Sequence, residues 1–122
     1  MARALSLLIW GLASSALAAI TSAEEVSAVD IIRNPGPYRN RIITVRGIML
    51  NPRPATVGGL AVPPTTVFEL SAGPALLQVL TLVPPACPVR SMVTVEGRLL
   101  PREQVGQNIY TNLIRAITIT CR

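Results

Sequence analysis

Eleven arginines, six acids, two cysteines and no histidine are the groups this 122-residue chain offers for chemistry; lysine is absent. General acid–base catalysis needs a side chain that titrates near neutrality, or two carboxylates held together so that one stays protonated. Asp30, Glu69, Glu96 and Glu103 each stand alone in the sequence and read as solvated charges. No glycine-rich run suited to cradling phosphate occurs. Hard cations need clustered oxygens and soft cations clustered sulfur or imidazole, and neither grouping is present, so the sequence predicts no catalytic residues, no metal and no cofactor.

Cys87 and Cys121 allow one intramolecular pairing. A two-sulfur metal site would lack imidazole partners, and redox pairs more often stand close together as CxxC, so the pair reads as a structural disulfide. Closing a loop of about 35 residues is worth roughly 3–4 kcal/mol in the chain-entropy relation.

A disulfide implies an oxidising compartment, and the N-terminus agrees. Arg3 opens residues 1–23, residues 4–20 are apolar apart from small residues, and Thr21-Ser22-Ala23 offers a small residue for cleavage. This is the layout of a secretory signal peptide. A second cut could follow Ala16-Leu17-Ala18, and no cysteine at the junction supports a lipid anchor. About 20 apolar residues suffice to span a bilayer, so retention as a membrane anchor is the competing reading. The expectation is a signal peptide over 1–23, one domain over 24–122, and a periplasmic or secreted protein. Removing residues 1–23 takes away Arg3 and no acid, and changes the net charge from +5 to ten arginines against six acids. That balance attracts anionic partners but is modest for a dedicated nucleic-acid binder.

The mature chain patterns as a helix followed by strands. Val26, Val29 and Ile32 recur at spacing three over residues 24–33, which predicts a short amphipathic helix ending at Asn34-Pro35-Gly36-Pro37. Residues 41–50 alternate, with Ile43, Val45, Gly47 and Met49 on the core face and Arg46 outside. Residues 51–64 are rich in proline and glycine and read as a long loop. Residues 65–70 form a second strand with Phe68 and Leu70 inward and Glu69 outward; residues 75–83, apolar apart from Gln78 and Thr81, form a third. Residues 89–100 repeat the first pattern through Val93, Val95, Gly97 and Leu99: ITVRGIML at 43–50 matches VTVEGRLL at 93–100, each with a glycine where the strand must bend. After a polar loop over 101–108, residues 109–121 form the last strand, with Ile117, Ile119 and Cys121 on one face.

A short helix and five strands, the first and fourth bent at glycine, resemble the OB-fold, a small Greek-key barrel. The run NPGPYRNRIITVRG at 34–47, MVTVEGRLL at 92–100 and the closing ITIT at 117–120 are similar to small exported bacterial OB-fold proteins of the tRNA-anticodon-binding-like group. The resemblance implies an all-β, five-stranded OB-like Greek-key barrel with a short N-terminal helix. It departs from the family at 84–88, too short for the helix often found between the third and fourth strands.

The resemblance also implies where a ligand lies: across the second and third strands, between the loops over 51–64 and 101–108. Those loops hold Asn51, Arg53, Arg102, Gln104, Gln107 and Asn108, and Tyr110 follows. Arg53, Arg102, Gln104, Asn108 and Tyr110 are the expected ligand-binding residues, suited to a polar or anionic partner. The function implied is a non-catalytic extracytoplasmic binding module whose partner is a protein, a glycan or another anionic ligand. Single-stranded nucleic acid is the alternative, weakened by a mature chain with only Tyr38, Phe68 and Tyr110 to stack on bases.

Overall fold

The computed structural model describes residues 23–57, 60–105 and 108–121. The expected signal peptide therefore lies outside the described residues, Ala23 excepted, as does Gln107. Chain order is β1 (Glu24–Glu25), α1 (Ala28–Arg33), a 3-10 turn (Gly36–Tyr38), β2 (Ile42–Val57), β3 (Leu60–Ala72), β4 (Ala75–Thr81), β5 (Met92–Val105) and β6 (Asn108–Cys121). Strands β2 to β6 close into an all-β, OB-like barrel in the order β2-β3-β4-β6-β5, with β5 returning to β2. All of its pairings are antiparallel except β4 with β6, which run parallel from Gln78↔Leu113 to Leu80↔Arg115.

The alternation in the sequence puts the predicted faces inside. Ile43, Val45, Met49, Phe68, Leu70, Leu77, Val79, Val93, Val95, Leu99 and Ile114 form one buried core. The helix is shorter than predicted and rotated. Glu24 and Glu25 pair with Ile43 and Thr44 as a strand, and Val26 N–H donates to the Thr44 carbonyl, so helical geometry begins only after Ser27. The Ser27 hydroxyl caps it by accepting from Val29 N–H at 3.2 Å. The helix therefore buries Ala28 and Ile31, while Ile32 is exposed. It packs mainly on β4, at the end of the barrel marked by the β3–β4 turn.

The two prolonged hairpins are the larger correction. Residues 51–57 and 60–64 continue β2 and β3, and residues 101–105 and 108 continue β5 and β6, so both predicted loops are largely paired strand. Pro52, Pro54, Pro63 and Pro64 favoured the loop reading, yet proline is tolerated where a strand's N–H faces no partner. These extensions leave the barrel as two arms, whose apolar side chains meet over its outer face. Each breaks from its barrel strand at an asparagine in the left-handed region, Asn51 at φ 51° and Asn112 at φ 56°, a conformation asparagine tolerates better than most residues.

The paired glycines are required by close approach. A Cβ on Gly47 would sit 2.8 Å from both Leu70 Cγ and the Ser71 carbonyl oxygen; one on Gly97 would overlap the Arg115 carbonyl oxygen and lie 2.9 Å from Ala116 Cα. Beside Gly97 the ladder shifts from Glu96↔Thr118 to Gly97↔Ala116, leaving Ile117 as the extra residue of a bulge. The bulge turns Ile117 out to solvent and puts Ala116, not Ile117, in phase with Ile119 against the core, correcting the predicted face. The segment from 82 to 91 contains no helix and is pinned at Cys87, which is bonded to Cys121 with Cα atoms 5.4 Å apart.

Gly97→Ala should lower the unfolding free energy by about 1–3 kcal/mol, as overpacking usually does, whereas Gly36→Ala, whose Cβ meets only Asn34 Oδ1 at 3.6 Å, should stay within about 0.5 kcal/mol. Guanidinium titration of the two variants measures the contrast. Cys87→Ser should cost roughly 3–4 kcal/mol in the same titration under oxidising conditions, and nothing relative to wild type once both proteins are reduced.

Candidate functional site

The arms do not stand free of the barrel. Val67 of β3, Leu80 of β4 and Leu113 of β6 all point away from the main core, and in an ordinary barrel their outer positions would meet water. Here they are buried beneath Ala55 of the first arm and Val105 and Tyr110 of the second, forming a separate small core. This is the face, across β3 and β4 between the arms, where the resemblance places a ligand. The protein covers much of it with its own side chains.

What remains open is a cavity of about 230 Å³ between the arms, lined by Arg53, Pro54, Ala55, Val67, Val105, Asn108 and Tyr110. Three of the five predicted ligand-binding residues, Arg53, Asn108 and Tyr110, thus converge on one site. Arg102 and Gln104 do not. On the second arm Val105 pairs with Asn108 and Glu103 with Tyr110, while Arg102 pairs with Thr111 and Gln104 with Ile109. Successive residues of a strand face opposite ways, so the two sets occupy opposite faces of the arm.

Arg53 is oriented from two sides. Its Nη1 donates to the Asn51 carbonyl at 3.0 Å and its Nη2 to Gln78 Oε1 at 3.4 Å across the face of β3. A guanidinium has five N–H donors, so the head is fixed with donors to spare. The ion pairs of the described residues lie elsewhere: Arg41–Glu24 at 3.3 Å, Arg46–Glu25 at 3.1 Å and Arg115–Glu103 at 2.7 Å. Glu69 shares the outer face but does not line the cavity. A half-buried, hydrogen-bonded arginine with no acidic partner among the described residues keeps donors with the chemistry to accept one anionic group, and the Tyr110 hydroxyl and the Asn108 amide line the same cavity. Gln78 was not among the predicted site residues, although its signal was visible as the polar interruption in the apolar run of β4.

None of the three aromatics among the described residues is a free platform. Phe68 is fully buried, Tyr38 packs on the main core and Tyr110 on the small one. Asn112 Oδ1, at the root of the second arm, is buried with no hydrogen-bond partner among the described residues.

No protein-family model matches the sequence, and comparison with curated protein sequences finds no match. Among solved structures the fold matches a crystal structure assigned as an aspartyl-tRNA synthetase from Leishmania major Friedlin, with a TM-score of 0.62 at 12% sequence identity over 83% of this chain. The match spans 21% of that longer chain. At this identity the likeness carries the barrel and its topology.

Tyr110→Ala should expose the small core. A fully buried aromatic costs about 3–5 kcal/mol on truncation; for this half-buried ring we expect about half that. Amide hydrogen exchange should then quicken at Val67, Leu80 and Leu113 and stay unchanged at Val45 and Val95 of the main core.

Proposed function

We propose that the protein is a periplasmic or secreted binding module, acting by contact and without catalysis, whose arm cleft receives an anionic group of a protein or glycan partner. The observation that carries the reading is Arg53: held by Asn51 and Gln78, unpaired with any acid among the described residues, and facing Asn108 and Tyr110 across a preformed cavity. The compartment rests on the Cys87–Cys121 bond and on the signal-like composition of residues 1–23. No helix among the described residues is long and apolar enough to cross a membrane.

Single-stranded nucleic acid is the second reading. The likeness to a structure assigned as an aspartyl-tRNA synthetase favours it, as does the exposed Arg102 on the outer side of the second arm. Against it, base stacking is worth about 1–3 kcal/mol per base on a free aromatic face, and the rings of Tyr38, Phe68 and Tyr110 are engaged in packing.

Titrating the folded protein with a sulfated polysaccharide and with a thymidine oligonucleotide at several salt concentrations separates the two. Salt-sensitive polysaccharide binding that weakens about tenfold in Arg53→Ala and is little changed in Arg102→Ala is the expected result. Oligonucleotide binding that is tighter than polysaccharide binding, and that depends on Arg102 more than on Arg53, would replace the first reading with the second.

A further inference from the structure

A second depression lies on the other side of Arg53, between the root of the first arm and the helix-free segment after β4. Pro52 and Pro54 wall it on one side, Pro84, Pro85 and Val89 on the other, and Met49 lies at its base. Its volume is about 380 Å³, within the usual range for small-molecule sites. Among the described residues Arg53 is the only charged one lining it.

The groove is formed before any ligand arrives. Proline rings have no rotamer freedom to lose, so a proline-walled site is rigid at little entropic cost. The far wall is fixed to the barrel covalently through Cys87 and by the backbone bonds Arg90 N–H to the Met49 carbonyl at 2.8 Å and Met49 N–H to the Ser91 carbonyl at 3.1 Å. Apolar surface nonetheless remains exposed here, with Val89 at 55%. Among the lining side chains Thr66 is the only neutral polar one, and it already has a partner.

These features define the occupant. One arginine balances one negative charge and grips a carboxylate in two-point fashion. A peptide laid along the groove would bring backbone N–H and C=O groups that the prolines cannot satisfy. An aliphatic chain brings none. We infer that the groove is a binding site for a free medium-chain aliphatic carboxylate, its head on the Arg53 guanidinium and its chain along the four prolines onto Met49. The site goes beyond the anion-binding cleft proposed above and rests on that reading only in taking Arg53 as the anion's anchor.

Calorimetric titration with octanoate, decanoate and decanol, each below its aggregation concentration, tests the assignment. Each buried methylene is worth about fourfold in affinity, so decanoate should bind roughly tenfold tighter than octanoate. Decanol, lacking the charge, should bind at least tenfold more weakly than decanoate, and Arg53→Gln should lose the same factor. Val89→Asp, at an exposed position outside the arm cleft, should abolish decanoate binding while leaving the melting temperature and polysaccharide affinity unchanged. Equal affinities for decanol and decanoate, no dependence on chain length, an unaffected Val89→Asp variant, or tighter binding of a peptide with an apolar C-terminal residue would each overturn the inference. Decanoate binding that survives Asn108→Ala in a protein that binds no polysaccharide supports the groove and removes only the cleft reading.

Discussion

Every strand of a closed barrel pairs with two neighbours, and β6 meets that demand asymmetrically, pairing with β5 along nearly its whole length but lying parallel to β4 only at Leu113–Arg115. The turn onto β4 depends on the backbone of β6 coming almost into contact with Gly97, where a side chain would strike the Arg115 carbonyl and the Ala116 Cα. The bulge at Ile117 is the local price of that approach. Because β6 reaches β4 at this height, Leu113 comes beside Leu80 and Val67 on the outside of the barrel. Those three residues form the ledge on which the arms rest, so the geometry of the proposed site descends from one glycine in the opposite strand.

The arms therefore differ from the mobile loops that commonly carry binding residues. Each is a paired hairpin that buries apolar side chains against the barrel wall. Cover of this kind buries part of the outer face and leaves compact recesses lined by a positioned arginine. Elsewhere, helix α1 buries Ala28 and Ile31 in the main core, while the helix-free 82–91 segment is held by the disulfide in place of helical packing.

Much of this architecture was legible in the sequence because period-two alternation is a strong signal where one face is buried. The inward positions of Ile43, Val45, Phe68, Leu70, Val93, Val95 and Leu99 could be read directly, as could the cysteine pairing and the importance of both V-x-G sites. The exceptions have identifiable causes. Ile117 was assigned to the wrong face because a bulge shifts the phase by one residue and leaves no mark in composition. The first arm was read as a loop because four prolines outweigh strand propensity and the sequence does not reveal which N–H groups face an unpartnered edge, and the second because residues 101–108 are polar. The helix phase failed because Glu24 and Glu25 were drawn into a ladder whose partner lies some 19 residues on, at Ile43 and Thr44. Of the residues expected on the two connections, Arg53, Asn108 and Tyr110 line one cavity, while Arg102 and Gln104 stand on the other face of the second arm, a distinction that a loop reading, which has no faces, could not draw.

The bond between Cys87 and Cys121 joins the connection after β4 to the end of the last strand, with 34 residues of separation. All of β5, the whole second arm and nearly all of β6 lie within this covalent ring. A protease that cuts the chain once anywhere between those cysteines makes two polypeptides but no free fragment, and the nicked strands stay at high local concentration to pair again. In a compartment where hydrolases meet exposed hairpins, the same bond that fixes the groove wall makes the arm carrying Asn108 and Tyr110 tolerant of being cut.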